Sequence, residues 1–385
     1  MSTTPSEPRE LESWLALNRA PGLGPVRAAA LIERFGTARA SVECGETELT
    51  RAGIPLSARA YLRSDSRPGV DADLDWLSNE NRHLLCCTSP CYPPRLKSIA
   101  SAPLLLFVEG SIESLGRPQL AIVGSRNPTP ISRDTAFEFS AELAAMGITI
   151  TSGLAAGIDG ASHRGAIDAD GFTIAVMGCG PDIIYPAVHR KLADEIVEHG
   201  AKVSEFPCGE PPRPHNFPRR NRLISGLSVG VLVVEAAVRS GSLITARYAS
   251  EQGREVLAMP GSIHNPLARG CHALIRQGAK LVETVTDILE EIGPLLGSVP
   301  EPASSPVSRA PRAAAQTEHG VAGLDEEHRA LLEHVDYAAS SVDTLVSRSG
   351  LTAQAVSSML LQLELNGFIA SIAGGLYTRS PRNTR

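Results

Sequence analysis

Four arginines and two flat rings lie close together in one segment of this sequence. Residues 211–234 contain no aspartate or glutamate, and their four arginines are Arg213, Arg219, Arg220 and Arg222. His215 and Phe217 lie among them. A guanidinium binds phosphate oxygens and a flat ring stacks on a base, so this combination is typical of proteins that bind single-stranded nucleic acid. We predict that the arginines of this segment lie on a basic loop.

The charge of this segment differs from that of the chain as a whole. The 385 residues carry a formal net charge of −6. A basic segment on an acidic protein indicates a place where phosphate is bound. The alternative is a solvated loop whose arginines pair with acidic side chains elsewhere in the chain, and the sequence leaves that alternative open.

The composition is that of an ordinary globular protein, with 43% hydrophobic and 20% charged residues. A chain of this length has room for two or three domains. The seven cysteines lack metal-binding spacing, so we expect reduced thiols and no metal site. Neither an apolar leader nor a run of eighteen apolar residues occurs, so we expect a cytoplasmic protein with no membrane association.

The pattern of apolar residues divides the chain into four parts. Residues 10–85 are predicted to form small helices around the turn Pro21-Gly22-Leu23-Gly24-Pro25, which resembles a helix-hairpin-helix. Residues 86–295 are predicted to form a Rossmann-like domain, and residues 296–320, rich in Pro, Ala and Ser, a flexible linker. Three helices and a hairpin are predicted for residues 321–381, which is the arrangement of a winged helix.

Short apolar runs alternate with helical patterns through the Rossmann-like domain. The predicted strands are 119–123, 148–151, 172–177, 201–205, 229–235 and 255–259. The predicted helices are 132–146, 159–168, 188–199, 243–251 and 284–292. Alternation at this spacing predicts an α/β fold with a doubly wound, mostly parallel sheet.

Small residues follow several of the predicted strands. They are Gly124-Ser125-Arg126, Ser152-Gly153-Leu154-Ala155-Ala156-Gly157, Gly178-Cys179-Gly180 and Ser240-Gly241-Ser242. In an open α/β sheet the ligand binds at the carboxyl ends of the strands, where glycines permit close approach and helix N-termini attract anions. Arg126 adds a guanidinium that can hold a phosphate through two hydrogen bonds. The predicted nucleic-acid site therefore includes Gly153, Arg220, Ser240, Gly241 and Ser242.

Known cofactor motifs do not occur in these loops. The sequence has no G-x-G-x-x-G after the first predicted strand and no G-x-x-x-x-G-K-[ST], so we predict no cofactor. Asp159, Asp182 and Glu235 form no recognisable metal-binding set. We expect Asp159 to be a helix N-cap and Glu235 to accept hydrogen bonds at a strand end. His163 is expected to be packed and bonded to a loop carbonyl, so no catalytic residue is predicted.

Six stretches of the chain are similar to one known protein family. They are GSR at 124–126, TSGLAAGIDGASHRGAI at 151–167, GCGPDIIYP at 178–186, SEFPCGEPP at 204–212, FPRRNRLISGLS at 217–228 and VVEAAVRSGSLITARYASEQGREVLAMPG at 233–261. These stretches resemble DprA/Smf, the DNA-processing protein A family of bacteria. On this resemblance the DNA pocket is expected at Gly124, Ser125, Arg126, Phe217, Arg219 and Arg222.

The resemblance implies a single-stranded DNA-binding protein rather than an enzyme. The resemblance further implies that the protein is a homodimer and acts in natural transformation and competence. It protects incoming DNA and loads the RecA recombinase onto it, which leads to DNA recombination. The expected partners are therefore single-stranded DNA, RecA recombinase and a second copy of the chain.

Two other functions compete with this interpretation. The predicted sheet also resembles nucleotide phosphoribohydrolases, whose Gly-Gly-x-Gly-Thr loop is followed three residues later by a glutamate. Here Ser240-Gly241-Ser242 occupies the loop and Thr245 the position of the glutamate, so the general acid/base is missing. In the other alternative, the winged helix is the part of the chain that binds DNA, in duplex form. It is acidic and its expected recognition helix has no Lys or Arg, so we interpret it as a protein-contact module.

Overall fold

The computed structural model describes residues 7–295, 325–335, 339–372 and 374–380, together with Pro5. The predicted linker at 296–320 lies outside the described residues. Within these ranges no helix is both long enough and apolar enough to cross a membrane.

Short helices form the amino-terminal part of the chain. They are α1 (Pro8–Arg19), α2 (Pro25–Phe35), α3 (Ala38–Glu43), α4 (Glu46–Arg51), α5 (Leu56–Arg63) and α6 (Val70–Leu77). The apolar stripe predicted on α1 is buried, because Trp14, Leu15 and Leu17 pack into a core shared with the other helices. α2 begins directly after the predicted glycine-rich turn, with Pro25 in its first turn, where the missing N–H costs nothing.

A large sheet follows, and its strands in the described residues number nine. They are β1 (Arg82–Cys86), β2 (Leu105–Gly110), β3 (Gln119–Val123), β4 (Thr149–Ser152), β5 (Thr173–Val176), β6 (Gly200–Ser204), β7 (Gly230–Val233), β8 (Glu255–Ala258) and β9 (Lys280–Leu281). Their order is β1-β2-β6-β5-β4-β3-β7-β8-β9. β1–β2 and β2–β6 pair antiparallel, and the pairs from β6 to β9 are parallel.

Helices cover both faces of this sheet. They are α7 (Pro94–Lys97), α8 (Glu113–Gly116), α9 (Pro130–Ala145), α10 (Ile158–Asp168), α11 (Arg190–Glu198), α12 (Asn216–Leu227), α13 (Ser242–Glu251), α14 (Arg269–Arg276) and α15 (Val285–Ile292), with 3₁₀ turns at Ala187–His189 and Gly293–Leu295. The central strands are apolar and buried on both faces, as parallel strands between helix layers must be. The predicted doubly wound α/β fold is confirmed.

The strand order reverses at β3, and this reversal decides where a ligand can bind. After β3 the chain adds β4, β5 and β6 on one side, and it then returns to place β7, β8 and β9 on the other side. The helices that follow β3 and β7 leave in opposite directions and open a crevice beyond the carboxyl ends of these two strands. The loops that follow Val123 and Val233 border that crevice.

The carboxyl-terminal described residues form a winged helix. It consists of α16 (Glu326–His334), α17 (Val342–Ser349) and α18 (Ala353–Leu365), with the strands β10 (Ser340–Ser341), β11 (Ile369–Ile372) and β12 (Leu376–Arg379). The strands pair antiparallel in the order β10-β12-β11. Leu345, Leu360 and Phe368 belong to a separate buried core in this part.

The structure corrects the prediction that the arginines of residues 211–234 lie on a basic loop. α12 occupies the middle of the segment, and all four residues from Arg219 to Arg222 lie on it. The prolines of the segment obscured this helix in the sequence. Pro218 stands in the first helical turn, where backbone N–H groups have no partner within the helix, so its ring is tolerated.

Two smaller predictions also change. Asp159 is not the N-cap of α10, because the cap is Gly157 and Asp159 lies inside the first turn. β1 and β2 were not predicted, and β1 begins at Arg82, ahead of the expected domain boundary at residue 86. Both strands are antiparallel additions at one edge, and the helices that follow them have only four residues each, so they do not show the alternation with long helical patterns that revealed β3 to β8.

We expect Phe107→Ala to destabilise the protein strongly. Phe107 is fully buried on β2, and its ring meets the edge of Trp76 on α6 at a centroid distance of 5.8 Å. Removal of a buried ring leaves a cavity and lowers the free energy of unfolding by about 3–5 kcal/mol. Urea unfolding followed by circular dichroism measures it, with the exposed Val26→Ala as control. A wild-type midpoint for Phe107→Ala would contradict this role.

Candidate single-stranded nucleic-acid interface

A cavity of about 480 Å³ lies in the crevice beyond β3 and β7. Its wall contains seven of the residues predicted for the site, namely Gly124, Arg126, Phe217, Arg220, Ser240, Gly241 and Ser242. A second cavity of about 120 Å³ adjoins Arg126 and Phe217 and adds Gly153. The loops from four parallel strands and the helix that carries the arginines therefore do meet at one edge of the sheet.

Glu235 fixes the loop that carries Arg126. Its backbone oxygen accepts a hydrogen bond from Ser125 N at 2.7 Å. Its buried carboxylate accepts hydrogen bonds from Thr129 Oγ1 at 2.8 Å and Ser132 Oγ at 2.9 Å, at the start of α9. The expectation that Glu235 is an acceptor at a strand end agrees with this geometry. A residue that follows β7 thus positions the loop that follows β3.

The start of α10 holds the same loop from the other side. Ile158 N donates to Ser125 O at 3.1 Å. Gly157 has φ +80°, and a Cβ at this position would collide with the backbone of Ser125 and Arg126. The glycine is required both for its left-handed conformation and for this close approach.

Arg126 and two rings form the mouth of the cavity. Arg126 is exposed, and its guanidinium carbon lies 5.5 Å from the centroid of the Phe217 ring. The Tyr185 ring lies 5.6 Å from the same ring, at an interplanar angle of 45°, and 43% of Tyr185 is exposed. A cation beside accessible ring faces can hold a phosphate while a base stacks. Tyr185 was not predicted, because it comes from a loop more than thirty residues away in sequence.

Arg220 is buried and acts as an internal support. Its guanidinium donates to the carbonyl of Gly153 at 2.6 Å and to that of Val176. Burial lowers the pKa of Arg220 to about 10, and the nearby Asp159 carboxylate opposes that shift. A Cβ at Gly153 would overlap the Arg220 guanidinium. This glycine therefore makes room for a side chain of the protein itself.

A similar relation explains one further glycine at a strand end. A Cβ at Gly178 would lie 2.8 Å from Cδ1 of Phe217. Gly178 thus accommodates the ring of Phe217, while Gly241, by contrast, is exposed and has open space around it. Of the glycine-rich loops, the one at 240–242 is the most open to a ligand.

The start of α13 forms another part of the cavity wall. Ser240 Oγ and Ser242 Oγ share a hydrogen bond of 2.7 Å, and Asn221 Nδ2 donates to Gly241 O at 3.2 Å. Backbone N–H groups at a helix start attract anions, so this wall complements Arg126. Asn221 also lines the cavity and was not predicted, because its contact with residue 241 depends on the helical form of the arginine segment.

Arg219 and Arg222 do not line the cavity. Both guanidinium groups pair with Glu205, Arg219 at a distance of 3.1 Å, and both Arg222 and Glu205 are buried. Burial lowers the pKa of Arg222, and the Glu205 carboxylate opposes the shift. Arg213 also has an acidic neighbour, Glu210, at 3.5 Å. Ion pairs with acidic side chains, which the alternative requires, are thus present at these three arginines, while Arg213 and Arg219 remain about half exposed.

The titratable groups near the cavity have structural partners. Asp159 accepts a hydrogen bond from Ala155 N at 3.2 Å, and burial raises its pKa. His163 lies 2.7 Å from Thr173 Oγ1, a strand hydroxyl rather than the expected loop carbonyl, and burial lowers its pKa to about 3. No group of three His, Cys, Asp or Glu in the described residues is arranged to hold a metal. Thr245 lines the cavity wall.

Comparison with known proteins identifies one family for both the sheet domain and the carboxyl-terminal part of the chain. The family described as DNA recombination-mediator protein A matches residues 83–293, and the DprA winged helix domain matches residues 309–375. Protein Smf of Escherichia coli is 44% identical over 340 residues, which is 87% of each chain.

Two solved structures are similar to this one. DNA processing protein A from Streptococcus pneumoniae has a TM-score of 0.64 and 35% identity, covering 76% of this chain and 99% of that chain. The Helicobacter pylori protein, described for its single-stranded DNA binding mode, has a TM-score of 0.50 and 29% identity, covering 53% and 94%.

We expect Glu205→Gln to destabilise the protein and Arg219→Met to have little effect. The first change leaves the buried Arg222 guanidinium without its charge partner, which costs about 3–5 kcal/mol of unfolding free energy. Arg219 is half exposed, so its ion pair contributes less than about 1 kcal/mol. Chemical unfolding of both variants measures the difference. Equal effects would contradict the structural role of the Glu205–Arg222 pair.

Proposed function

Because this chain belongs to the DNA recombination-mediator protein A family, also called DprA/Smf, we propose that it is a single-stranded DNA-binding protein of DNA processing. The observation that carries the proposal is the exposed Arg126 guanidinium beside the rings of Phe217 and Tyr185 at the mouth of the cavity. The single-stranded DNA binding described for the Helicobacter pylori relative supports the same ligand.

The chemistry of the cavity supports a strand rather than a duplex. Accessible ring faces are useful only to bases that have left a base-paired stack. Arg126 and the start of α13 both line the cavity, so phosphates adjacent to a stacked base would have two favourable partners there. We propose Gly124, Ser125, Arg126, Phe217, Ser240, Gly241 and Ser242 as the DNA contacts, with Gly153 and Arg220 behind them. Arg219 and Arg222 keep Glu205 as their partner.

We further propose the cellular role that the family resemblance implies. The protein would act in the cytoplasm as a homodimer during natural transformation, protect incoming DNA and load RecA recombinase onto it. Binding without catalysis is the proposed activity, because the position of the phosphoribohydrolase glutamate holds Thr245. An assay of AMP hydrolysis tests the enzyme alternative, and turnover by wild type that is lost in a Thr245→Val variant would favour it.

The purified protein should bind an unstructured oligonucleotide more tightly than a duplex of equal length. Arg126→Ala should weaken single-strand binding by about 1.5–3 kcal/mol, because a charge-assisted phosphate contact is lost. Phe217→Ala should cost about 1–3 kcal/mol through lost base stacking. Fluorescence anisotropy at several salt concentrations measures these changes, and affinity should fall as salt rises.

Arg51→Ala is the matched control for Arg126→Ala. It removes the same charge from an exposed arginine on α4 and should leave affinity nearly unchanged at moderate salt. Each variant must first give the wild-type circular dichroism spectrum. Wild-type affinity in a folded Arg126→Ala protein, or equal affinity for duplex and single strand, would refute the proposed site.

Truncation after Pro300 should leave most of the single-strand affinity. The winged helix has its own core, and its helix α18 contains no Lys or Arg, so its removal takes no proposed DNA contact away. The acidic residues removed would otherwise repel DNA, and affinity at low salt should rise slightly. Anisotropy of the truncated and full-length proteins compares them. A tenfold loss in a folded truncation would assign the winged helix to the DNA site.

A further inference from the structure

Two side chains of the amino-terminal helices hold one residue of the sheet domain. Asp73 on α6 is fully buried and accepts a hydrogen bond from Cys208 N at 2.9 Å. Arg19 on α1 donates to Cys208 O at 2.9 Å. The same two side chains form an ion pair with two hydrogen bonds, of 2.5 and 2.7 Å. Both backbone groups of Cys208 are thus fixed from another part of the chain.

Cys208 belongs to the loop that leads into α12. The next residue, Gly209, donates its N–H to Asp182 Oδ1 at 3.0 Å. Glu210 then accepts from Asn216 Nδ2 at 3.2 Å, and Asn216 is the first residue of α12. Phe217 follows directly. A continuous series of contacts therefore runs from Cys208 to the ring at the mouth of the cavity.

The same loop forms part of the cavity wall. Pro212 and Pro214, which lie between Cys208 and Phe217 in sequence, both line the cavity. At its other end the loop begins at Glu205, whose carboxylate holds Arg219 and Arg222 on α12. A displacement at Cys208 would therefore change the cavity wall and the position of Phe217, although none of the residues that are proposed to contact DNA is itself substituted.

We propose that Asp73 and Arg19 are positioning residues for the single-stranded DNA site, which they serve by fixing Cys208 and, through it, the start of α12. The amino-terminal helices thereby take part in strand binding without contact with the strand. This inference rests on the proposed function, because it requires that the cavity is the DNA site.

The direction in which Asp73→Asn changes the affinity for single-stranded DNA distinguishes a positioning role from a purely electrostatic one. Asp73→Asn removes a negative charge, so long-range repulsion of DNA decreases and electrostatics alone would strengthen binding. Loss of positioning predicts the opposite. We expect binding of an oligo(dT) strand to weaken by about 2- to 30-fold, the range usual for residues that couple to a site without touching its ligand.

Glu48→Gln is the matched control. It removes the same charge from the same group of helices, at the partly exposed ion pair with Arg34. We expect its affinity for oligo(dT) to equal that of wild type or to exceed it slightly. A loss of affinity in Glu48→Gln as large as that in Asp73→Asn would overturn the proposal, because any disturbance of these helices would then be sufficient.

A double-mutant cycle with Phe217→Ala tests the route through α12. If Asp73 acts by positioning this ring, the double variant binds no more weakly than Phe217→Ala alone. Effects that simply add would overturn the proposed route. Arg19→Lys keeps the charge but loses the fork that reaches both Asp73 and Cys208, so it should show a smaller loss of the same kind.

Hydrogen exchange of the wild-type protein tests the inference even if Asp73→Asn does not fold. Saturating oligo(dT) should slow exchange in residues 70–77 and 205–217, because coupling between two sites is reciprocal. Protection limited to the cavity loops would overturn the inference. Failure of the proposed function gives a different result, in which wild type does not bind oligo(dT) or Arg126→Ala binds it as wild type does.

Discussion

The buried guanidinium of Arg220 connects the elements on which the cavity depends. It donates to carbonyl groups at the ends of β4 and β5, and it extends from α12, which packs against those strands. A buried charge is costly unless it is paired and hydrogen-bonded, so the Gly153 and Val176 carbonyls and the nearby Asp159 fix where this side chain must lie. Because Phe217 is less than one helical turn away on α12, its ring is positioned by the same constraint.

The arginines of this segment therefore have different tasks, although they are neighbours in sequence. Arg220 supports the strand ends, Arg222 is buried against Glu205, and the half-exposed Arg219 pairs with the same buried carboxylate. The arginine at the mouth of the cavity, Arg126, comes from a loop about ninety residues earlier. A helix turns its successive side chains to different sides, so four adjacent residues cannot all face one ligand.

Much of the fold could be predicted because its signals are local. Buried parallel strands are short apolar runs, and the rule for the carboxyl ends of such strands brought Gly124, Arg126 and the 240–242 loop together. The remainder depends on partners far away in sequence. The burial of Arg222 requires Glu205, the need for Gly153 comes from Arg220, and Tyr185 reaches Phe217 from another loop. α12 was missed because its prolines are common in loops, whereas Pro218 fits the first turn of a helix.

The contact between Gly178 and Phe217 has a consequence for how this sequence can vary. The ring occupies the volume that a Cβ at position 178 would need, so the two positions share one space. An alanine at 178 is compatible with a smaller or displaced side chain at 217, whereas an aromatic ring in the position that Phe217 occupies requires glycine at 178. The two positions therefore should change together or not at all. We therefore expect a substitution of Gly178, in the loop after β5, to be accompanied by a substitution of Phe217, which lies nearly forty positions later in the sequence.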